Sequence, residues 1–193
     1  MNICVYGASS NMIDKSFITA GEALGGAIAE NNHTVVFGGG AAGLMGAVAR
    51  GAHAEGGKTV GVCPSFFNVD GALFSDCSEM IYTDTMRERK QLLEEMSDAF
   101  IVTPGGIGTF DEFFEIYTLR HLGVHRKPIA IYNTNGYYDS LVDMLNNAID
   151  KRFMPNANMD LLFISDNPQK IINYIENYNP DDHRAVEFKF IKR

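Results

Sequence analysis

The stretch Ala99-Phe100-Ile101-Val102-Thr103-Pro104-Gly105-Gly106-Ile107-Gly108-Thr109-Phe110-Asp111-Glu112 decides how the chain folds. Its first four residues are apolar at consecutive positions, as a strand covered on both faces of a parallel sheet requires. Three glycines follow within a few residues, and a helical pattern then runs over Phe110–Leu122. Working outward, the same alternation recurs. Strand-like runs at Asn2–Tyr6, Thr34–Phe37, Thr59–Cys63, Met80–Tyr82 and Pro128–Tyr132 alternate with helical patterns. Those helices are predicted near Phe17–Glu30, Leu44–Ala54, Met86–Met96, Tyr138–Lys151 and Pro168–Tyr178. Strands alternating with helices predict an α/β fold, a Rossmann-like doubly wound parallel sheet in one domain.

Composition bounds the function. The chain has 193 residues, 46% hydrophobic and 21% charged, with a formal net charge of −8. A polynucleotide-coating surface needs a basic face, so nucleic acid is excluded as a partner. No apolar run approaches the ~18 residues of a membrane-spanning helix, and the N-terminus lacks a signal-peptide pattern. Cys4, Cys63 and Cys77 are odd in number and lack CxxC spacing. They predict a reduced, cytoplasmic protein without a disulfide or zinc framework.

Ligands of open parallel sheets bind outside the carboxyl ends of the strands. Three strands there enter turns of small residues, at Gly7–Ser10, Gly38–Gly40 and Pro104–Gly106. Gly38-Gly39-Gly40-Ala41-Ala42-Gly43 satisfies GxGxxG, but the next strand ends at Cys63-Pro64-Ser65, without the acid that a dinucleotide ribose needs. Close helix–strand packing is the expected role of these glycines. The 104–109 turn is richer: an apolar strand feeds glycines, and Gly108 and Thr109 open a helix whose first N–H groups attract an anion. No Lys follows the last Gly, so this is not a Walker A loop.

The acids here carry two readings. Thr109-x-x-Glu112 has capping-box spacing, which would leave Glu112 without chemistry. Glu115, three residues on, is predicted near Glu112, with a cationic or hydroxyl-rich part of a ligand between them. Upstream, Arg87, Arg89 and Lys90 open a helix at the end where the dipole disfavours cations, so an anionic partner rivals a solvated face. Thr85-x-x-Glu88 is a second capping box.

With these motifs in their order, the chain resembles the Lonely Guy family of cytokinin-activating phosphoribohydrolases, whose members are often mislabelled lysine decarboxylases. The hallmark PGGxGTxxE stands as Pro104-Gly105-Gly106-Ile107-Gly108-Thr109-Phe110-Asp111-Glu112, preceded by Arg89-Lys90. The likeness extends through Val35–Gly46, Leu122–Pro128 and Asn133–Leu141, covering residues 1–178; residues 179–193 form an extension. Within it, Val186, Phe188 and Phe190 alternate with polar residues as a half-buried strand would. The resemblance implies hydrolysis of the N-glycosidic bond of a nucleoside 5′-monophosphate, AMP or an N6-modified AMP, and a homodimer. It implies Arg89 and Glu112 as the catalytic pair, with Gly105, Gly106, Gly108 and Thr109 on the phosphate. Lys90, Glu79 and Thr118 match further substrate-contacting positions, and Glu115 joins them as a neighbour of Glu112. No metal or cofactor is implied. The loop through Ser65-Phe66-Phe67 and Leu73-Phe74-Ser75 departs from the family run, which bears on base preference. A non-catalytic carrier of a nucleotide or of the molybdenum cofactor is the rival on the same fold. A pyridoxal-phosphate decarboxylase lacks a Schiff-base lysine that stands out.

Overall fold

The computed structural model describes residues 1–181; the expected strand around Val186–Phe190 lies outside them. Strand β1 (Asn2–Tyr6) shows why the sheet is covered on both faces: Ile3 and Val5 enter one apolar cluster, Cys4 and Tyr6 the other. Alternate residues of a strand point to opposite faces, so an all-apolar strand needs helices on both sides. The chain continues through α1 (Lys15–Glu30), β2 (Thr34–Phe37), α2 (Gly43–Ala54), β3 (Thr59–Pro64) and β4 (Glu79–Thr83). It then forms α3 (Met86–Glu95), β5 (Ala99–Val102), α4 (Ile107–His121), β6 (Ile129–Tyr132), α5 (Asp139–Asp150), β7 (Leu162–Ser165) and α6 (Pro168–Glu176).

The seven strands are parallel in the order β4-β3-β2-β1-β5-β6-β7. Side chains of α1, α2 and α6 bury one face, those of α3, α4 and α5 the other. Fully burying one such aliphatic side chain contributes ~1.5–3 kcal/mol, so the two clusters hold the layers together. Helices α1 and α2 pack backbone to backbone, because a Cβ on Gly25 would overlap the Val48 carbonyl and one on Gly51 the Glu22 carbonyl.

Two features depart from the sequence reading. Strand β7 is additional: a four-residue strand at a sheet edge, three of its residues apolar, is too short for periodicity to identify. Between β3 and β4, where the sequence predicts no helix, residues 65–78 cross over as a loop with one 3-10 turn at Ser65–Phe67. Helix α4 starts at Ile107 with Gly106 as its N-cap, so Thr109 lies inside the helix and the expected Thr109–Glu112 capping box does not form. The Thr85–Glu88 box does form on α3. Strand order reverses between β1 and β5, and the crevice at that switch point is where such sheets take ligands.

Candidate active site

At the carboxyl ends of β1, β2 and β5 lies a cavity of about 660 Å³, within the range of small-molecule sites. Its floor is one ion pair. Arg89, in the second turn of α3, donates from Nη1 to Oε1 of Glu112 on α4 and from Nε to the Val62 carbonyl at 3.3 Å. The two residues are only 8% and 7% exposed. Gly38 makes the approach possible, since a Cβ there would overlap the Arg89 guanidinium. Burial raises the Glu112 pKa above the ordinary carboxylate value, and the Arg89 charge and hydrogen bond oppose that rise. Burial likewise lifts the neighbouring Cys4 thiol to about 12 and the Tyr6 phenol well above its usual value. Both are neutral, so Glu112 is the ionisable acid of this floor.

One turn away, the N-terminus of α4 faces the same cavity. Gly106, Ile107, Gly108 and Thr109 line it, and nothing lies within 4 Å of where a Cβ on Gly106 or Gly108 would stand. The first N–H groups of a helix have no intrahelical acceptor, and the dipole adds positive potential there. By contrast, the GxGxxG helix, α2, has engaged two of its first three N–H groups. Gly43 donates to Asn11 Oδ1 at 2.8 Å and Met45 to the Ala8 carbonyl at 3.0 Å. Gly46 accommodates the Ala41 carbonyl, which a Cβ would overlap. The opposite wall, with Met45, Pro64, Phe67, Leu73 and Met86, is apolar. The arrangement can hold a phosphorylated small molecule by its anion, place a buried carboxylate beside its middle, and receive an apolar or aromatic end.

Not every expected residue reaches this cavity. Gly105 sits behind the rim, with its carbonyl accepting from the Tyr137 hydroxyl at 2.7 Å. Lys90 turns sideways and bonds Asp111 Oδ2 at 3.0 Å and Glu115 Oε2 at 3.1 Å. Partial burial works against its charge, but those two carboxylates prevail and hold its pKa above the usual lysine value. Glu115 and Glu112 therefore do not flank one ligand: Glu112 points inward to Arg89 and Glu115 outward to Lys90. The anionic partners of Arg89 and Lys90 are thus side chains of α4. Thr118 is exposed nine residues beyond Thr109, about 14 Å along the helix, away from the rim. Glu79 is exposed at the first residue of β4, the end of the strand opposite the cleft. That placement leaves it outside the lining of this cavity.

The sequence reading put Gly38 on the rim and Phe67 and Leu73 beside the base, but gave Asp111 only a helix-end role although it lines the cavity and binds Lys90. It did not single out Tyr137, at which only the Asn133–Leu141 segment hinted. Among the described residues, no three His, Cys, Asp or Glu side chains are grouped to hold a metal ion, and no helix is long and apolar enough to cross a membrane.

The fold and cavity define a Rossmann-like α/β protein whose switch-point crevice suits a phosphorylated small molecule. A family profile described as "Possible lysine decarboxylase" matches residues 45–175. A cytokinin riboside 5′-monophosphate phosphoribohydrolase of Mycobacterium tuberculosis is 44% identical over 86% of this chain and 88% of its own. One from Arabidopsis thaliana is 33% identical over 92% of this chain and 84% of its own. The chain belongs to this family, the Lonely Guy phosphoribohydrolases. The molybdenum cofactor carrier protein of Chlamydomonas reinhardtii superimposes with a TM-score of 0.66 over 91% of this chain and 95% of its own, at 18% identity. That likeness concerns the fold.

Proposed function

We propose that the chain hydrolyses the N-glycosidic bond of a nucleoside 5′-monophosphate, AMP or an N6-substituted AMP, releasing the base and ribose 5-phosphate. The single observation that carries the reading is the buried Arg89–Glu112 pair facing the same cavity as the open N-terminus of α4. The 5′-phosphate lies on the N–H groups of residues 106–109. Glu112 is three residues beyond Thr109, roughly 4.5 Å along the helix, which suits the ribose step from phosphate to sugar. Cleavage builds oxocarbenium character on the ribose. A carboxylate beside it stabilises that charge, orients the hydroxyls or activates water, and a raised pKa makes it a better base. Arg89 holds the carboxylate in place and offsets the negative charge gathered by phosphate and Glu112. The base lies on the wall of Phe67, Leu73 and Met86.

The test is direct: incubate the pure protein with AMP and with isopentenyl-AMP and separate the products by chromatography. Free base is expected; none from either substrate rejects the reading. Two further expectations belong to it. A homodimer is supported by the exposed stripe Phe114, Thr118 and Leu122 at i, i+4 and i+8 along α4; a monomer mass in sedimentation equilibrium would reject it. A cytoplasmic location is supported by three cysteines that are all free. Secretion of the native protein would reject that.

A further inference from the structure

We propose that Tyr137 is a positioning residue for the anion-binding loop, acting through the Gly105–Gly106 peptide. The inference rests on reading that loop as the phosphate site. The carbonyls of the turn are all engaged by protein donors. Thr103 accepts from the Tyr138 hydroxyl at 2.7 Å and Pro104 from the Ala8 N–H at 3.1 Å. Gly105 accepts from the Tyr137 hydroxyl at 2.7 Å and Gly106 from the Phe110 N–H at 3.0 Å. The amides are different. Pro104 has none, and among the described residues no protein acceptor meets the N–H groups of Gly105 to Thr109. The first N–H groups of a helix have no intrahelical acceptor, and here, among the described residues, no loop carbonyl or side chain takes its place. That leaves a row of donors for an anion.

A trans peptide is planar, with its C=O and N–H on opposite sides. Drawing the Gly105 oxygen back to Tyr137 therefore aims the Gly106 N–H forward, toward the cavity that Gly106 lines. The peptide between two glycines is also the one whose rotation side chains restrain least. Flipped, it would present a carbonyl oxygen to the phosphate and repel it. An external hold is required, and the hydroxyl of Tyr137 supplies one.

Tyr137 is built for this role more than for the core. It is 42% exposed, with its ring edge-on to Phe17 at 6.0 Å and to Tyr138 at 5.0 Å. A tight turn sets its position: Asn135 and Gly136 take left-handed φ values of 56° and 68°. Asn135 Nδ2 donates to Ser16 Oγ at 2.9 Å, and Asn133 Oδ1 accepts from the Tyr138 N–H at 2.7 Å.

Titration calorimetry with inorganic phosphate, ribose 5-phosphate and adenosine tests the proposal on wild type, Tyr137→Phe and Tyr138→Phe. In Tyr137→Phe, phosphate and ribose 5-phosphate should bind about fivefold more weakly, the scale of one neutral hydrogen bond. Adenosine affinity should not change, and KM for AMP should rise by the same factor with kcat nearly constant. Tyr138→Phe removes an equal bond, but the following residue is Pro104, which has no N–H to aim. It should lower the melting temperature without changing phosphate affinity. Unchanged phosphate affinity in Tyr137→Phe overturns the proposal, as does equal weakening of adenosine or a wild type that binds no phosphate. A wild type that releases no base yet shows the fivefold phosphate effect supports the proposal and rejects the hydrolase.

Discussion

A single methyl group on Gly38 should disable the site without unfolding the protein. The Gly38 φ lies outside the left-handed region, so the backbone tolerates alanine. The new Cβ would overlap Arg89 Nη2 and stand 3.3 Å from Arg89 Cζ and 2.9 Å from Met45 Sδ. Carbon atoms rest about 3.5–4.0 Å apart, so the guanidinium must retreat on the order of 1 Å. Its bond to Glu112 is then lost or misaligned. Displacement on that scale costs roughly 100-fold in rate when it reaches a catalytic group. The stability change should be small, about 1 kcal/mol, because the end of a flexible side chain gives way and Gly→Ala also restricts the unfolded chain. The assay is kcat/KM for base release beside a thermal melt. A folded Gly38→Ala variant within threefold of the wild-type rate would show that the position of Arg89 does not govern the reaction.

Glu112→Gln should lower kcat by about 100- to 1,000-fold, the scale for removing one electrostatic partner of a developing charge, with circular dichroism unchanged. A near-wild-type rate would remove Glu112 from the mechanism. Arg89→Ala should abolish turnover and also destabilise, because the Glu112 carboxylate is left buried without its cation. Burial already raises the Glu112 pKa and losing Arg89 raises it further, so protonation relieves the defect. The melting-temperature gap to wild type should therefore narrow as pH falls and widen as it rises; a gap independent of pH contradicts this. Burial lowers the His125 pKa to about 4, while its Nε2–H donates to the Ile116 carbonyl at 2.9 Å. An unfolded histidine titrates near 6.5, so stability present above that pH is lost as pH falls from 6.5 toward 4. The loss is about 1 kcal/mol by pH 5 after allowing for solvent screening. Denaturant titrations at pH 7.5 and 5 of wild type and His125→Asn measure it, and an equal change of unfolding free energy between the two pH values in both proteins would refute the assignment.

The fold was largely readable because its signals are local. Apolar runs such as Ala99–Val102 report burial on two faces, and glycines after strands report where the chain turns. Strand β7 escaped, since its three consecutive apolar residues, Leu162–Ile164, are too few to carry a period. The site was readable in part. Thr-x-x-Glu spacing looks the same whether the helix starts at residue 106 or 109, and only the tertiary structure shows Gly106 as the cap and Glu112 against Arg89. Adjacent cations were equally ambiguous. A helix turns about 100° per residue, so Arg89 goes inward to Glu112 while Lys90 goes sideways to Asp111 and Glu115. Tyr137 reaches Gly105 from 32 positions away, a separation that local patterns do not encode.

The sequence by itself determined the parallel α/β class, the strand–glycine–helix turn at 104–109 and the helix N-terminus that follows it. Those properties follow from side-chain periodicity, backbone freedom at glycine and the dipole of one helix. Which carboxylate is buried, which cation meets it, and which way the Gly105–Gly106 peptide faces were decided only when distant segments packed. Desolvation and long-range hydrogen bonds act between elements, and neither exists until the sheet brings β1, β2 and β5 side by side.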